Sequence, residues 1–230
     1  MSFAYLRHCM GAALLCGASL SHSAALVTNL PNQVSGTNMS FALVADNFSL
    51  GGAGSYDINT LQFWSLMESV ADYSGSVYWA IYSDAAGSPG AVLHSGTAAP
   101  APTATGLSSG FGYGEYRFDI AVNFNLAAGA TYWLALQNDF LGNDVPSEML
   151  LEHSDSGLGG AGQYVDFQGD PGEWLDAEFD HAFAIIGNRV GDPPPPPPPP
   201  LPTPATWMLV LGGLVGAARV RRPSKSSLVS

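Results

Sequence analysis

A run of eight consecutive prolines, Pro193 to Pro200, limits what this chain can fold into more than any other feature of the sequence. Proline has no backbone N–H, so a polyproline run joins neither a helix nor a sheet. It forms instead a stiff, extended spacer that rises about 3.1 Å per residue and cannot pack into a core. We therefore assign residues 191–201 to a linker and expect the globular domain to end before it.

The segment after the linker has the composition of a membrane-targeting tail. An apolar run extends from Trp207 to Ala218, and Arg219, Arg221 and Arg222 follow it. Apolar segments partition into a bilayer, and arginines stay on its cytoplasmic side, which orients the segment. The run is shorter than the roughly 20 residues of an ordinary spanning helix. The pattern predicts a transient inner-membrane anchor that leaves the rest of the chain outside.

The order of these elements resembles a known sorting signal. Pro202, Thr203 and Pro204, followed by the Gly-rich apolar helix and the arginine cluster, are similar to the PEP-CTERM signal of exported proteins in Gram-negative bacteria. Threonine stands where the family usually has glutamate, so this is a Pro-Thr-Pro variant. The resemblance covers residues 202–222, with a tail at 223–230. It implies an exosortase as a partner and bacteria that make exopolysaccharide and biofilm.

The beginning of the chain has the anatomy of a secretory signal peptide. Arg7 precedes an apolar run from Cys9 to Leu20, and small residues follow. This pattern predicts a signal peptide over residues 1–25, with cleavage after Ser23 or Ala25. Both cysteines of the chain lie inside it. A mature domain would therefore contain no disulfide and no thiol chemistry.

The body of the chain is strongly acidic. All nineteen acidic residues lie between Asp46 and Asp192, and of the seven basic residues only Arg117 and Arg189 lie there. Two basic against nineteen acidic residues give this region a formal charge of −17. Such a surface repels phosphate backbones, so we expect no nucleic-acid partner.

Short apolar segments between turn residues run through residues 26–190 and predict an all-β domain. In Val77–Tyr82, the odd-numbered residues would lie on one face of a strand and the even-numbered residues on the other. The fold we predict is an antiparallel β-sandwich of jelly-roll type. Tyr56–Ala71 is ambiguous between strand and helix, whereas Ala98–Gly112 and Ser154–Gly162 are predicted loops. The expected strands are Phe41–Phe48, Ile58–Trp64, Ser76–Tyr82, Ala91–Ser95, Glu115–Val122, Thr131–Gln137, Glu148–His153, Gln163–Phe167 and His181–Gly187.

A second resemblance supports this fold. The segments Ala45–Phe48, Ile81–Gly90 and Phe124–Leu134 look like turns and core strands of the β-sandwich ectodomains that often precede PEP-CTERM tails. The resemblance implies a fold and no activity.

The sequence contains no motif that indicates catalysis, and we predict that the protein is not an enzyme. His-Glu-x-x-His is absent, and no phosphate-binding Gly-rich loop precedes a predicted helix. The residues Gly106-Leu-Ser-Ser-Gly110 match Gly-x-Ser-x-Gly, but they lie in the low-complexity stretch Ala98–Gly112, which is predicted to be a loop. His94, His153 and His181 are predicted to be surface or edge residues. The acidic neighbours of the last two would point to the opposite face of a strand. A glycosidase needs two carboxylates across a cleft, whereas the candidate glutamates are expected to be solvated: Glu148, Glu152, Glu173 and Glu178.

Two binding hypotheses rest on residue type. Asp166, Asp170 and Asp176 belong to the densest carboxylate segment and supply the oxygen ligands that calcium prefers. Trp174 and Tyr113 lie in polar, Gly-rich segments, where an aromatic ring can stack on a sugar.

Two other tryptophans, Trp79 and Trp133, lie in predicted strands and are expected in the core.

The sequence favours an exported structural or interaction protein of the cell surface or extracellular matrix. Its alternatives are a carbohydrate-binding module for matrix polysaccharide and a glycoside hydrolase.

Overall fold

Antiparallel β-strands make up the regular structure of the protein. The computed structural model describes residues 23–156, 161–167 and 173–191. In these ranges the chain forms fourteen strands and one short 3-10 turn, Val70–Asp72. The strands are β1 (Ala24–Asn29), β2 (Pro31–Asn38), β3 (Ala42–Ser49), β4 (Ser55–Met67), β5 (Val77–Asp84), β6 (Pro89–Ala98), β7 (Thr103–Ser108), β8 (Gly114–Ala127), β9 (Thr131–Asn138), β10 (Leu150–Ser154), β11 (Gln163–Asp166), β12 (Leu175–Asp176), β13 (Asp180–His181) and β14 (Phe183–Arg189).

Several sequence predictions concern residues outside these ranges. They are the signal peptide up to residue 22, the linker from residue 192, the Pro202-Thr203-Pro204 motif, the apolar run with its arginines, and Asp170. Across the described ranges, no helix has both the length and the apolar character needed to cross a bilayer.

The strands form two sheets. The eight-stranded sheet has the order β1-β14-β4-β10-β13, and β2 pairs with β10, β8 with β4 and β7 with β8. The six-stranded sheet has the order β12-β11-β3-β9-β5-β6. The prediction of an all-β domain with antiparallel pairing is confirmed.

Residues from both sheets share one buried apolar cluster, which we call the main core. Its aromatic centre is Phe63 of β4 against Phe118 of β8, with ring centroids 4.9 Å apart and planes within 5°. Both side chains are fully buried. The six-stranded sheet contributes mainly Val44, Phe48, Val77, Ile81, Leu134 and Leu136, and the other sheet contributes mainly Leu61, Ile120, Leu151, Phe183 and Ile185.

The opposite face of the six-stranded sheet carries a second, smaller apolar cluster. Strand alternation explains it, because successive side chains point to opposite faces. In β5, Val77 and Ile81 join the main core, whereas Ala80 and Tyr82 join the second cluster. The predicted alternation of this strand is therefore confirmed. Trp133 also belongs to the second cluster and is 2% exposed, as expected for a core tryptophan.

The structure corrects three local predictions. Ala98–Gly112 is not simply a loop, because it contains β7, whose residues are all exposed and which pairs with β8. The ambiguous segment Tyr56–Ala71 is strand β4 as far as Met67. β1 and β2 were not predicted, and β2 is a polar strand in which no residue is fully buried. Backbone pairing, which needs no apolar side chain, explains why polar segments become strands.

We expect Phe118→Ala to lower the free energy of unfolding by about 3–5 kcal/mol, because it leaves a cavity beside Phe63 and removes the ring stack. Denaturant unfolding of the purified protein measures this loss. The control is Phe140→Ala, because the ring of Phe140 is 57% exposed. We expect this variant to alter the free energy of unfolding by no more than about 0.5 kcal/mol. Equal losses in the two variants would contradict the proposed packing.

Candidate functional sites

Two histidines meet inside the domain where β10 pairs with β13. The register places His153 opposite His181, and their ring centroids are 5.4 Å apart. Both Nε2 atoms lie 3.0 Å from the Thr37 hydroxyl of β2, and Nδ1 of His153 lies 2.8 Å from the Ser35 hydroxyl. We call these four residues the histidine cluster.

The prediction of surface exposure is wrong for His153 and His181, although β13, which carries His181, does lie at the end of its sheet's strand order. His153 is 5% exposed and His181 is fully buried, and the ring of Phe179 stacks on His153 at 4.5 Å. The sequence argument considered only neighbours along one strand. The partners of each histidine come from other strands, which pairing brings together. His94, by contrast, is half-buried and stacks on Phe124 at 4.5 Å.

Burial determines the protonation state of the cluster. It lowers the pKa of His153 to about 4, against the opposing charge of Asp155. It also lowers the pKa of His181 to about 3, and proximity to His153 adds to the effect. Removing a charge from water is costly unless a partner compensates it, so both rings are neutral near neutral pH.

Asp46 lies beside this cluster, on the inward face of β3. Its Oδ2 accepts a hydrogen bond from the backbone N–H of His181 at 2.6 Å, and Oδ1 accepts one from Asn47 at 2.7 Å. Both bonds favour the ionised form. Burial outweighs them and, with the nearby charge of Asp180, raises the pKa of Asp46 to about 8.

Two glutamates converge elsewhere in the eight-stranded sheet. Gln33 bridges them, since its backbone N–H donates to Glu152 at 2.6 Å and its Nε2 donates to Glu115 at 2.7 Å. Burial, followed by the charge of Glu115 and a hydrogen bond with it, raises the pKa of Glu152 to about 8. A protonated Glu152 avoids placing two negative charges next to each other inside the sheet.

This pair corrects the prediction that Glu152 is solvated, and it does not form a glycosidase cleft. Glu152 is fully buried and Glu115 is 2% exposed, so no sugar can reach between them. Glycoside hydrolysis needs the two carboxyl groups on either side of a bound substrate. The pair has a structural role in attaching β2 to the sheet.

An open cleft of about 590 Å³ lies on the outer face of the six-stranded sheet. We call it the carboxylate cleft, because Asp84, Asp176 and Glu178 line it and no basic residue does. Trp133 lies in its wall with the indole N–H donating to Asp84 at 2.9 Å, so this ring is held as part of the wall. The other lining residues are Asn47, Ser49, Gly87, Thr131, Ala161 and Gln163.

Of the three aspartates predicted to bind calcium, the structure describes Asp166 and Asp176 and places them on opposite faces of the sheet. Asp176 pairs with Gln163 across β11 and β12, and Asp166 lies three residues from Gln163, which puts its side chain on the opposite face of the sheet. Asp170 lies outside the described residues. Where the structure describes the chain, no group of three or more His, Cys, Asp or Glu side chains is placed to hold a metal ion. The calcium site stays a prediction.

A second open pocket, of about 560 Å³, contains Tyr113. We call it the aromatic pocket. Phe111, which is 51% exposed, contacts Tyr113 edge-to-face at 4.9 Å. The Tyr113 hydroxyl donates to Glu148, and this bond raises the tyrosine pKa to about 12. The backbone N–H of Tyr113 donates to the buried Ser109 hydroxyl at 3.1 Å, which holds the loop in place.

The two aromatic residues predicted to bind sugar lie in different surroundings. Trp174 packs edge-on against Tyr82 at 5.6 Å and covers part of the second apolar cluster. It is half-buried and lines neither of the pockets described above, whereas Tyr113 lines one of them. The sequence could not have indicated Glu148 as a companion of Tyr113, because that contact spans 35 residues, whereas Phe111 lies only two residues before Tyr113.

No protein-family model matches this chain, and no curated protein matches it significantly.

The buried groups predict a stability optimum at mildly acidic pH. In the folded protein, Asp46 and Glu152 have pKa values of about 8, above their ordinary values of 3.8 and 4.5. The folded state therefore favours the neutral carboxyl groups, and their contribution to the free energy of unfolding is lost as pH rises towards 8. In the folded protein, the pKa of His153 is about 4 and that of His181 is about 3, both below the ordinary value of 6.5. The folded state therefore favours the neutral rings, and their contribution to the free energy of unfolding is lost as pH falls below 6.5. Stability should be greatest between about pH 4.5 and 6.5 and fall on both sides.

Denaturant unfolding at a series of pH values measures this profile. Between pH 6.5 and 8 we expect a loss of up to about 1.4 kcal/mol per pH unit for each carboxyl group. Glu152→Gln should make this fall about half as steep, because the amide stays neutral and still accepts from Gln33. The control Glu68→Gln removes an exposed carboxylate and should leave the slope unchanged. A stability that rises over this interval would refute the assignment.

The close packing of His181 against Gly162 gives a further prediction. A Cβ at Gly162 would overlap Nδ1 of His181 and would lie 2.8 Å from the Ala45 carbonyl oxygen. We expect Gly162→Ala to lower the free energy of unfolding by about 1–3 kcal/mol. Gly51→Ala is the matched control, since its Cβ would meet nothing within 4 Å. Similar denaturant midpoints for the two variants would contradict the buried position of His181.

Proposed function

We propose that the protein is an exported cell-surface or extracellular-matrix protein with a structural or interaction role. One observation carries this proposal: the carboxyl and imidazole groups with strongly shifted pKa values are buried, and they do not line the open pockets. Asp46, Glu152, His153 and His181 line neither the carboxylate cleft nor the aromatic pocket. Groups suited to proton transfer are therefore separated from these surfaces, which suits reversible binding better than catalysis.

The domain we propose is a β-sandwich of jelly-roll type. The main core supports it, because the two sheets contribute to one buried cluster. All strand pairs among the described residues are antiparallel, as in that architecture. Such a domain needs no disulfide when its core is large enough, which suits an exported chain whose two cysteines both precede residue 23.

The terminal segments supply the proposed route to the surface. A signal peptide directs export, the run Trp207–Ala218 holds the chain transiently in the inner membrane, and an exosortase processes the Pro-Thr-Pro signal. Eight prolines at about 3.1 Å each would hold the domain about 25 Å from the membrane. Strand β1 favours cleavage after Ser23, because Ala24 and Ala25 already pair with β14. Cleavage after Ala25 would remove both pairs.

A carbohydrate-binding role is the second candidate, and the aromatic pocket favours it. The pocket combines a stacking face with hydrogen-bonding groups. The stacking face is the exposed ring of Phe111, and the hydrogen-bonding groups are the Tyr113 hydroxyl and the Glu148 carboxylate. Sugars present apolar C–H faces and hydroxyl rims, so this combination matches their chemistry. The ligand would be a polysaccharide of the surrounding matrix.

Expression in a host with a matching exosortase, and in the same host without it, tests the proposed route. We expect the mature chain to begin at Ala24 in both strains and to lose the segment beyond about Pro204 only where the exosortase is present. Mass spectrometry of the termini and cell fractionation measure both events. Thr203→Glu restores the usual family residue and should increase the processed fraction. An intact, membrane-bound tail in every strain and variant would contradict the sorting proposal.

A further inference from the structure

The turn from Ser109 to Tyr113 holds an apolar ring in solvent at the aromatic pocket. Phe111, in the middle of this turn, is 51% exposed and lines the pocket. The backbone N–H of Ser109 donates to the Tyr113 carbonyl oxygen at 2.9 Å, and that of Gly112 donates to the Ser109 carbonyl oxygen at 3.0 Å. Gly112 has a φ of 95°, which glycine adopts without strain. A ring that the backbone already holds in place loses little conformational freedom when it stacks on a ligand.

The polar groups of the aromatic pocket differ in how far they are already engaged. The Ser35 hydroxyl is bonded to a buried histidine at 2.8 Å, and the Asn38 amide donates to a backbone carbonyl oxygen at 3.3 Å. Tyr113 and Glu148 are bonded to each other at the pocket surface. This pair is therefore the main hydrogen-bonding group that the pocket presents to a ligand.

The Tyr113–Glu148 pair offers acceptors rather than donors. The Tyr113 hydroxyl donates its hydrogen to Glu148, so its oxygen can only accept a further bond. A carboxylate has acceptor positions alone, about four on its two oxygens, and Tyr113 occupies one of them. Sugar hydroxyl groups can donate to the remaining positions. A carboxylate on a sugar is itself an acceptor and finds no donor in this pair.

The charge around the aromatic pocket is negative. No basic residue lines it, and Glu148 is its one acidic lining residue. The bond to Glu148 is the main cause of the raised Tyr113 pKa, and the charges of Glu68 and Asp72 add to it, so three carboxylates act at this position. An anionic ligand is therefore repelled here, whereas a neutral one is not.

From these observations we propose that the aromatic pocket binds a neutral polysaccharide and rejects anionic ones, such as polymers of uronic acids. Phe111 stacks on the apolar C–H face of a sugar ring, and sugar hydroxyl groups donate to Glu148 and Tyr113. This inference rests on the carbohydrate-binding role proposed above as the second candidate. Selection by charge is a narrower claim, so it can fail while sugar binding itself stands.

Calorimetric titration of the full chain in detergent at neutral pH tests this selectivity. The probes are short oligomers of glucose, mannose and galactose, each paired with the uronic acid oligomer of the same linkage and length. We expect at least one neutral oligomer to bind, and to bind about tenfold more tightly than its uronic acid counterpart. Added salt should narrow this difference by strengthening the anionic oligomer, because salt screens the repulsion.

Two variants assign the binding to this pocket. Phe111→Ala removes the stacking face and should weaken the neutral oligomer about tenfold. Its matched control is Phe140→Ala, since Phe140 is 57% exposed, does not line this pocket and should leave affinity unchanged.

Glu148→Gln removes the charge at nearly constant size and should reduce the preference for the neutral oligomer from about tenfold to about threefold. Its control is Glu173→Gln, which removes an exposed carboxylate that lines neither pocket and should leave the preference unchanged. Unfolding curves of all four variants show whether the domain is folded.

Three results would overturn the inference, and they differ in what else they remove. Equal or tighter binding of a uronic acid oligomer would contradict the selection by charge and leave the carbohydrate-binding role standing. Binding that Phe111→Ala and Phe140→Ala affect equally would place the sugar outside the aromatic pocket. No binding of any oligomer would contradict both the inference and the carbohydrate-binding role, and the proposed export and sorting would be unaffected.

Discussion

Contact between the apolar faces of the two sheets is the interaction on which the rest of this structure depends. Between residues 23 and 191 there is no cysteine, so no covalent cross-link assists the core. The stacked rings of Phe63 and Phe118 occupy its centre and join strands that are adjacent in one sheet. Burial of such rings is the main favourable term in folding. The open cleft lies on the far face of a sheet that this core holds in place.

Buried polar groups then determine how the peripheral strands attach. β2 has little apolar surface, and it is held by Thr37 between two histidines and by Gln33 between two glutamates. Neutral histidines and protonated carboxyl groups avoid the cost of an uncompensated buried charge. Most carboxyl groups of this acidic chain lie outside the core, and three of them line the carboxylate cleft.

Sequence patterns predicted apolar strands well and polar strands poorly. The alternation in Val77–Tyr82 and the burial of Trp133 followed from side-chain character, because their environments reflect hydrophobicity alone. β7 and β2 contain mostly polar or small residues, and only pairing with β8 and β10 makes them strands. The burial of His153 and Glu152 was also missed, because each depends on partners more than a hundred residues away.

The amino-acid sequence by itself determined the all-β class, the antiparallel pairing and the acidity of the body. Each follows from local composition or from the alternation of apolar residues along the chain, which distant contacts do not change. The tertiary structure alone decided which side chains meet: His153 with His181, Glu152 with Glu115, and Asp176 with Gln163. Strand register brings these pairs together, and register depends on long-range contacts that local sequence does not specify.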